Sequence, residues 1–215
     1  MKYLKKFENH AAYADAESGL ILPNVSLCVQ ENEVHYNPYD PYNGHEYIDL
    51  GLPSGTKWAT MNVGANSVTD YGNYYQYGKG AATYQETSGQ TNYEGYENPL
   101  AASADTATQV WGGSWHMPTR DQIRELTANT TYQSITINGI KCGKFTAQNG
   151  NYVLFPAAGT YVNGTLKYVG VFNWSWSSTR YGTNDDVYNL YTTDSLVEIQ
   201  TDSRDKVRTI RPVVG

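Results

Sequence analysis

The sequence predicts an α+β domain with two or three short helices, most of them early, and many short antiparallel strands. Three observations carry this expectation. Thr119 followed by Gln122 three residues later forms a capping box, and Ile123 and Leu126 begin an apolar face behind it, which is complete helix-start chemistry. From Ser134 onward, short β-branched and aromatic runs recur between turn residues. Asn138-Gly139, Asn149-Gly150 and Asn163-Gly164 supply the pairs that tight hairpin turns favour. Few helices followed by many strands is the order of an α+β or mostly-β domain.

Taken in order, residues 1–44 differ from the rest. Lys5 to Ser18 has helix-compatible composition with a weak apolar face, and Leu20 to Val29 is a strand-like apolar run. Pro38, Pro41 and Asn43-Gly44 then punctuate a loop. Such a piece cannot bury its own apolar run, so it reads as an extended arm or docking segment. The main domain is expected over 45–215. Tyr47–Leu52 and Thr56–Val63 flank Pro53-Ser54-Gly55 as a hairpin. Ser67–Tyr77 suggests a Tyr-rich short helix, 79–100 a long loop, and Ala101–Val110 a second short helix. After the capped helix, strands are expected at Ser134–Ile137, Lys141–Ala147, Tyr152–Pro156, Tyr161–Val162, Thr165–Val169, Val187–Tyr191, Val197–Thr201 and Val207–Val213. No tandem repeat is visible.

Composition narrows the function classes. The chain has 215 residues, room for one sizeable domain plus an appendage. It carries 20 tyrosines against four phenylalanines, with abundant Asn, Thr, Ser and Gly. That mixture suits a binding surface, where Tyr is a rigid anchor, and equally a twisted β-rich protein, since Tyr and Thr favour strands. A net charge of -6 argues against a nucleic-acid partner. No continuous apolar stretch is long enough for a membrane helix, and the basic start Met1 to Lys6 runs into Glu8 without the apolar core of a secretory signal. Cys28 and Cys142 allow one bridge at most, and their contexts favour two reduced thiols.

Catalytic constellations are not evident. His10, His35, His45 and His116 lack zinc-site spacing. Ser175-Trp176-Ser177-Ser178 lacks the nucleophile elbow of serine hydrolases. Lys141 and Lys144 flank Cys142, a weak hint of a lowered thiol pKa. Asp185 and Asp186 are adjacent, so on a strand they would point to opposite faces and not pair across a cleft. Asn184-Asp185-Asp186 offers hard oxygens for calcium, against the plainer reading of a solvated turn. Asn24, Asn129, Asn163 and Asn173 sit in glycosylation-type triplets with no secretory signal to use them. No enzyme activity, cofactor or metal is expected. Trp58, Trp111, Trp115, Trp174 and Trp176 have small neighbours, which favours core anchors over the alternative of sugar-stacking platforms.

A resemblance joins these pieces. Tyr47 to Thr60 with Asp70-Tyr71-Gly72-Asn73-Tyr74-Tyr75 resembles the opening of a Bacteroidetes family, the Fibrobacter succinogenes major paralogous domain. Trp111 to Thr119 resembles its central signature, and Phe155 to Gly159, Trp176-Ser177-Ser178 and Val207 to Val213 resemble its later blocks, in order over 45–215. The resemblance implies a C-type-lectin-like fold related to formylglycine-generating enzymes. It also implies kinship with variable proteins of diversity-generating retroelements, in which adenine-directed mutagenesis rewrites codons between the Trp-Ser-Ser and Arg-Pro-Val blocks. The segment before His45 resembles pieces of Bacteroides phage or prophage proteins. The enzyme relatives need cysteines near the C-terminus, and none follows Cys142, so catalysis does not carry over.

On this reading the ligand-binding residues are Arg180, Tyr181, Thr183, Asn184, Asp185, Tyr188, Tyr191, Thr193, Asp202 and Arg204, pointing outward. Trp174, Trp176, Val187, Leu190, Val197 and Val213 are framework. An Asn codon AAY mutated at its adenines yields Tyr, Asp or Arg but never Glu, Gln or Lys. Tyr181, Asp185, Tyr188, Tyr191, Asp202 and Arg204 are therefore compatible with diversification, and Glu198, Gln200 and Lys206 are not. The alternative is an ordinary family member without diversification, acting as a structural virion or cell-envelope component. The expected partner is a protein or glycan on a target cell surface, with self-association or virion docking through the arm. The expected location is a virion or cell surface after synthesis in a cytoplasm.

Overall fold

The computed structural model describes residues 3–7, 10–14, 43–86, 97–182 and 186–215. The chain divides into two compact units, Met1–Asn32 and Glu33–Gly215. In the first, β1 (Tyr3–Phe7) pairs antiparallel with β2 (His10–Ala14), from Tyr3 opposite Ala14 to Phe7 opposite His10. The helix-compatible stretch that begins at Lys5 is thus a hairpin where it is described. Its weak apolar face leaves a helix little to bury, and isolated short helices are marginal in water. The apolar run Leu20–Val29 and Cys28 lie outside the described residues.

The second unit is α+β, with many short antiparallel strands in several small sheets and two helices among the described residues. Strands β3 (Tyr47–Asp49) and β4 (Lys57–Ala59) form the expected hairpin, closed by Gly55 N–H donating to the Leu52 carbonyl at 2.9 Å. The expected helix at Ser67–Tyr77 is absent, and turns lead instead to β5 (Tyr75–Gln76). Asp70 explains this, because its carboxylate accepts from the backbone N–H groups of Asn66 and Gly72, local bonds that compete with a helical ladder. Gly72 sits at φ 71°, where a Cβ would lie 2.6 Å from the Val63 carbonyl oxygen.

The second expected helix forms as α1 (Thr106–Trp111), starting later than Ala101 because Asp105 supplies the cap. The same carboxylate accepts from Met117 N–H at 2.8 Å, tying the helix to the segment that follows it. α2 (Arg120–Asn129) has the full capping box, with Thr119 and Gln122 each bonding the other's backbone. β6 (Thr130–Ile137), β7 (Ile140–Ala147) and β8 (Tyr152–Pro156) form a three-stranded meander, its first turn made by Asn138 and Gly139 at φ 49° and 82°. β9 (Thr160–Val162) and β10 (Thr165–Lys167) turn through Asn163-Gly164 in the same way. β11 (Asn173–Arg180), β12 (Asp186–Thr192) and β13 (Val197–Ser203) form a second three-stranded sheet.

The strand expected over Val207–Val213 is instead two, β14 (Val207–Arg208) and β15 (Val213–Val214), in different sheets. β14 joins β9 and β5, while β15 joins β4. Between them Thr209 bridges β11 in parallel with Ser175, and Val63 N–H donates to the Ile210 carbonyl. Every residue from Val207 to Val214 is buried.

Two large apolar clusters and a small third one, Tyr74, Ala158 and Val207, form the core. One gathers Tyr75, Tyr77, Trp111, Trp115, Trp176, Val187 and Ile210, and the other Ile48, Trp58, Ile123, Leu126, Phe145, Phe155 and Leu190. Arg211 is fully buried and donates to the carbonyls of Ala59 at 3.1 Å and Leu154 at 2.6 Å, its guanidinium 5.2 Å from the Phe155 ring centre. Burial pulls it down to about 9, so it is still charged at neutral pH. Deleting one side of such a buried charge arrangement strands its partners. Arg211→Ala should therefore lower the unfolding free energy by about 3–5 kcal/mol, and Arg211→Met by less. Urea denaturation checks this, and equal loss in the two variants would contradict it.

Candidate ligand-binding surface

The surface expected from the sequence lies on the sheet β11–β12–β13. Its register sets two faces. Trp174, Tyr191 and Glu198 are cross-strand partners on one face, followed by Trp176, Asn189 and Gln200. Ser175, Leu190 and Ile199 lie on the other, where Leu190 joins the cluster containing Ile123 and Leu126 of α2. Alternation along β12 therefore puts Tyr188 on the helix-facing side and Tyr191 on the opposite one, because they are an odd number of residues apart.

The candidate residues consequently separate. Arg180 ends β11, and Tyr181 follows it. Asn98 brackets Arg180 by accepting from its N–H at 2.9 Å and donating to its carbonyl at 3.4 Å. Tyr181 is 46 % exposed and meets Tyr188 edge-on at 5.6 Å between ring centres. The Arg120 guanidinium, at the start of α2, lies 4.9 Å over the Tyr188 ring. Thr183, Asn184 and Asp185 lie outside the described residues, and with them most of the calcium-type loop. Among the described residues no three His, Cys, Asp or Glu side chains gather as a metal site would need.

Several expectations are corrected. Arg204 does not point outward, since only 5 % of it is exposed. Asp202 is half-buried with its carboxylate taken by Arg208, whose guanidinium also donates to Thr160. Burial lowers the Arg208 pKa, and Asp202 partly restores it. The Thr193 hydroxyl is spent inside its turn, accepting from Ser195 and Leu196 N–H. Cys142 is buried, and burial pushes its thiol up to about 11, the reverse of the shift its flanking lysines suggested. Trp58, Trp111, Trp115 and Trp176 are buried core as expected, but Trp174 is only half-buried.

Around Trp174 the structure assembles a group of rings that composition did not reveal. Tyr191 lies 5.3 Å from Trp174, tilted by 38°, Phe172 lies 5.2 Å away and Tyr168 6.0 Å. The Arg208 guanidinium sits 4.9 Å from the Trp174 ring centre. Tyr168, Val169 and Val171 are exposed at 53 %, 37 % and 47 %. Burial and the neighbouring Glu198 carboxylate both raise the Tyr191 pKa. Trp174 and Glu198 become neighbours of Tyr191 only through the cross-strand register, which no local sequence pattern gives. The turn after β12 is held to the meander by Asp194, which accepts from Lys141 at 2.8 Å and Ser134 at 3.1 Å.

Comparison of the chain with protein-family models, curated proteins and solved structures finds no match.

The Cys142 thiol should resist alkylation in the native protein near pH 8 and react once the chain is unfolded, measured by mass spectrometry of labelled peptides. Hydrogen bonds from Lys141 and Ser134 hold the Asp194 carboxyl below its ordinary 3.8, so its contribution to stability is present above 3.8 and is lost as pH falls through the lower folded value. Thermal melts from about pH 6 to about pH 2 should therefore fall less steeply for Asp194→Asn than for the unmodified chain.

Proposed function

We propose that this chain is a non-catalytic receptor-recognition protein that displays its contact surface on a C-type-lectin-like scaffold. The observation that carries the reading is the division of labour within one sheet. Trp176, Val187 and Leu190 are buried at 0 %, 0 % and 1 %, whereas Tyr181, Tyr188 and Tyr191 project as exposed or half-buried rings. Large rigid rings on a buried frame are what a contact surface needs, because little entropy is lost when they bind. The ordered sequence blocks over 45–215 support the kinship with variable proteins of diversity-generating retroelements, and the segment before His45 supports a Bacteroides phage or prophage origin. The ligand is then a protein or glycan on a target cell, and display is at a virion or cell surface.

A second reading, a structural virion or envelope component without diversification, is favoured by one feature. Met1–Asn32 is a compact unit of its own, suited to an assembly contact. Sequencing the locus across related strains separates the two. Under the first reading, adenine-linked substitutions gather at the Tyr181, Tyr188 and Tyr191 codons while Val187 and Leu190 stay fixed. Evenly scattered substitutions favour the second. In binding assays on target cells, Tyr181→Ala with Tyr188→Ala should weaken attachment about tenfold or more, and unchanged attachment would count against the recognition surface.

A further inference from the structure

We infer that the cross-strand row Trp174–Tyr191–Glu198, with Tyr168 and Gln200 beside it, binds a neutral pyranose-containing glycan. The inference deepens the recognition reading above and rests on it. The row begins with strand pairing, since Trp174 faces Tyr191 and Tyr191 faces Glu198 on one side of the sheet. Tyr168 enters from the loop before β11. That loop is held in place by Gly170 N–H donating to Ala157 at 2.8 Å, Gly159 N–H to Phe172 at 2.9 Å and Val171 N–H to Tyr168 at 3.1 Å. Tyr168 itself sits at φ 61°, a left-handed conformation that costs a non-glycine residue energy, and it is 53 % exposed. The rings are thus placed before any ligand arrives, which removes ordering cost from binding.

The chemistry of the row fits a sugar. The face of an aromatic ring is electron-rich and attracts the slightly positive C–H groups on one side of a pyranose. Sugar hydroxyls then need planar groups at the edge of that platform. Glu198 is exposed beside Tyr191, and the Gln200 amide donates to its carboxylate at 2.7 Å, so the two planar groups are held side by side.

Size and charge select among ligands. Trp174 to Glu198 spans two strand spacings, roughly 10 Å, the scale of one or two sugar rings. A stable protein interface needs about 800 Å² from each partner, a far larger footprint. The Arg208 guanidinium is engaged with Asp202 and Thr160, while the Glu198 carboxylate stands at the row's open edge. A sialylated or uronic-acid sugar would meet a like charge there, and a neutral one would not.

The full chain should be applied to an array of neutral oligosaccharides (gluco-, manno- and galacto-configured) with sialylated and sulfated glycans alongside, and positive probes titrated in solution. Trp174 is the one half-exposed tryptophan of five, so binding should change the intrinsic fluorescence and Trp174→Phe should abolish that change. Tyr191→Ala and Glu198→Ala should each weaken neutral-glycan binding about tenfold with melting behaviour retained, while Val110→Ser, on exposed α1 surface, leaves it unchanged. Any one of three results overturns the inference: no neutral glycan bound at millimolar concentration, equal or better binding of the charged set, or full affinity in folded Glu198→Ala and Tyr191→Ala. Capture of a protein ligand through these same residues overturns it too. If the array is silent yet Tyr181→Ala with Tyr188→Ala still reduces cell attachment, this inference fails and the recognition reading stands. Silence in both assays removes both.

Discussion

Arg211 is a cation with no exposed surface, and among the described residues its side-chain hydrogen bonds go to the main chain of β4 and β8 and to no carboxylate. A buried charge is tolerable only where carbonyl dipoles and a ring face replace water, and here those partners come from two elements far apart in sequence. Arg211 therefore clamps β4 and β8 to the run Val207–Val214 that carries it. That run touches β5, β9, β11 and β4 in turn, pairing with one element and then crossing to the next. Three small sheets are thereby joined by one buried strap.

The strap also determines what the C-terminal sheet can display. Thr209 borders β11, so β13 is the outer strand and β12 is central. α2 covers one face of that sheet through Leu190, and the end of the other face near Trp176 is absorbed into core with Tyr77 and Ile210. What remains accessible is two separate ends. Tyr181 and Tyr188 meet Arg120 at one, and Tyr168, Trp174, Tyr191 and Glu198 gather at the other. A residue's outward position is thus decided by what packs against its face of the sheet as much as by its own polarity.

Local chemistry was the most legible part of the sequence. The Thr119–Gln122 capping box, the Asn-Gly turns at 138 and 163, and strands such as Tyr152–Pro156 involve partners a few residues apart, so their energies are written in adjacent letters. No helix forms over Ser67–Tyr77, because the Asp70 carboxylate closes a local turn that competes with a helical ladder. The burial of Arg204 and half-burial of Asp202 have a different origin. Charged residues are exposed by default, and only long-range packing reveals a buried one. Tyr188 and Tyr191 fall on opposite faces of β12 by simple strand alternation, a separation that is legible in the sequence.

The sequence by itself determined the capped helix α2, the Asn-Gly turns, most of the strands between Ser134 and Thr201, the mixed α+β character, and the richness in tyrosine. These depend on local propensity, capping and periodicity, whose range is a few residues. Only the tertiary structure decided that the last eight buried residues span three sheets, that Arg211 is enclosed, and that Trp174 alone among the tryptophans lies half-open beside Tyr191 and Glu198. Such facts depend on which strands become neighbours. That follows from the joint packing of the whole chain, where a residue's partner stands dozens of positions away and no local pattern names it.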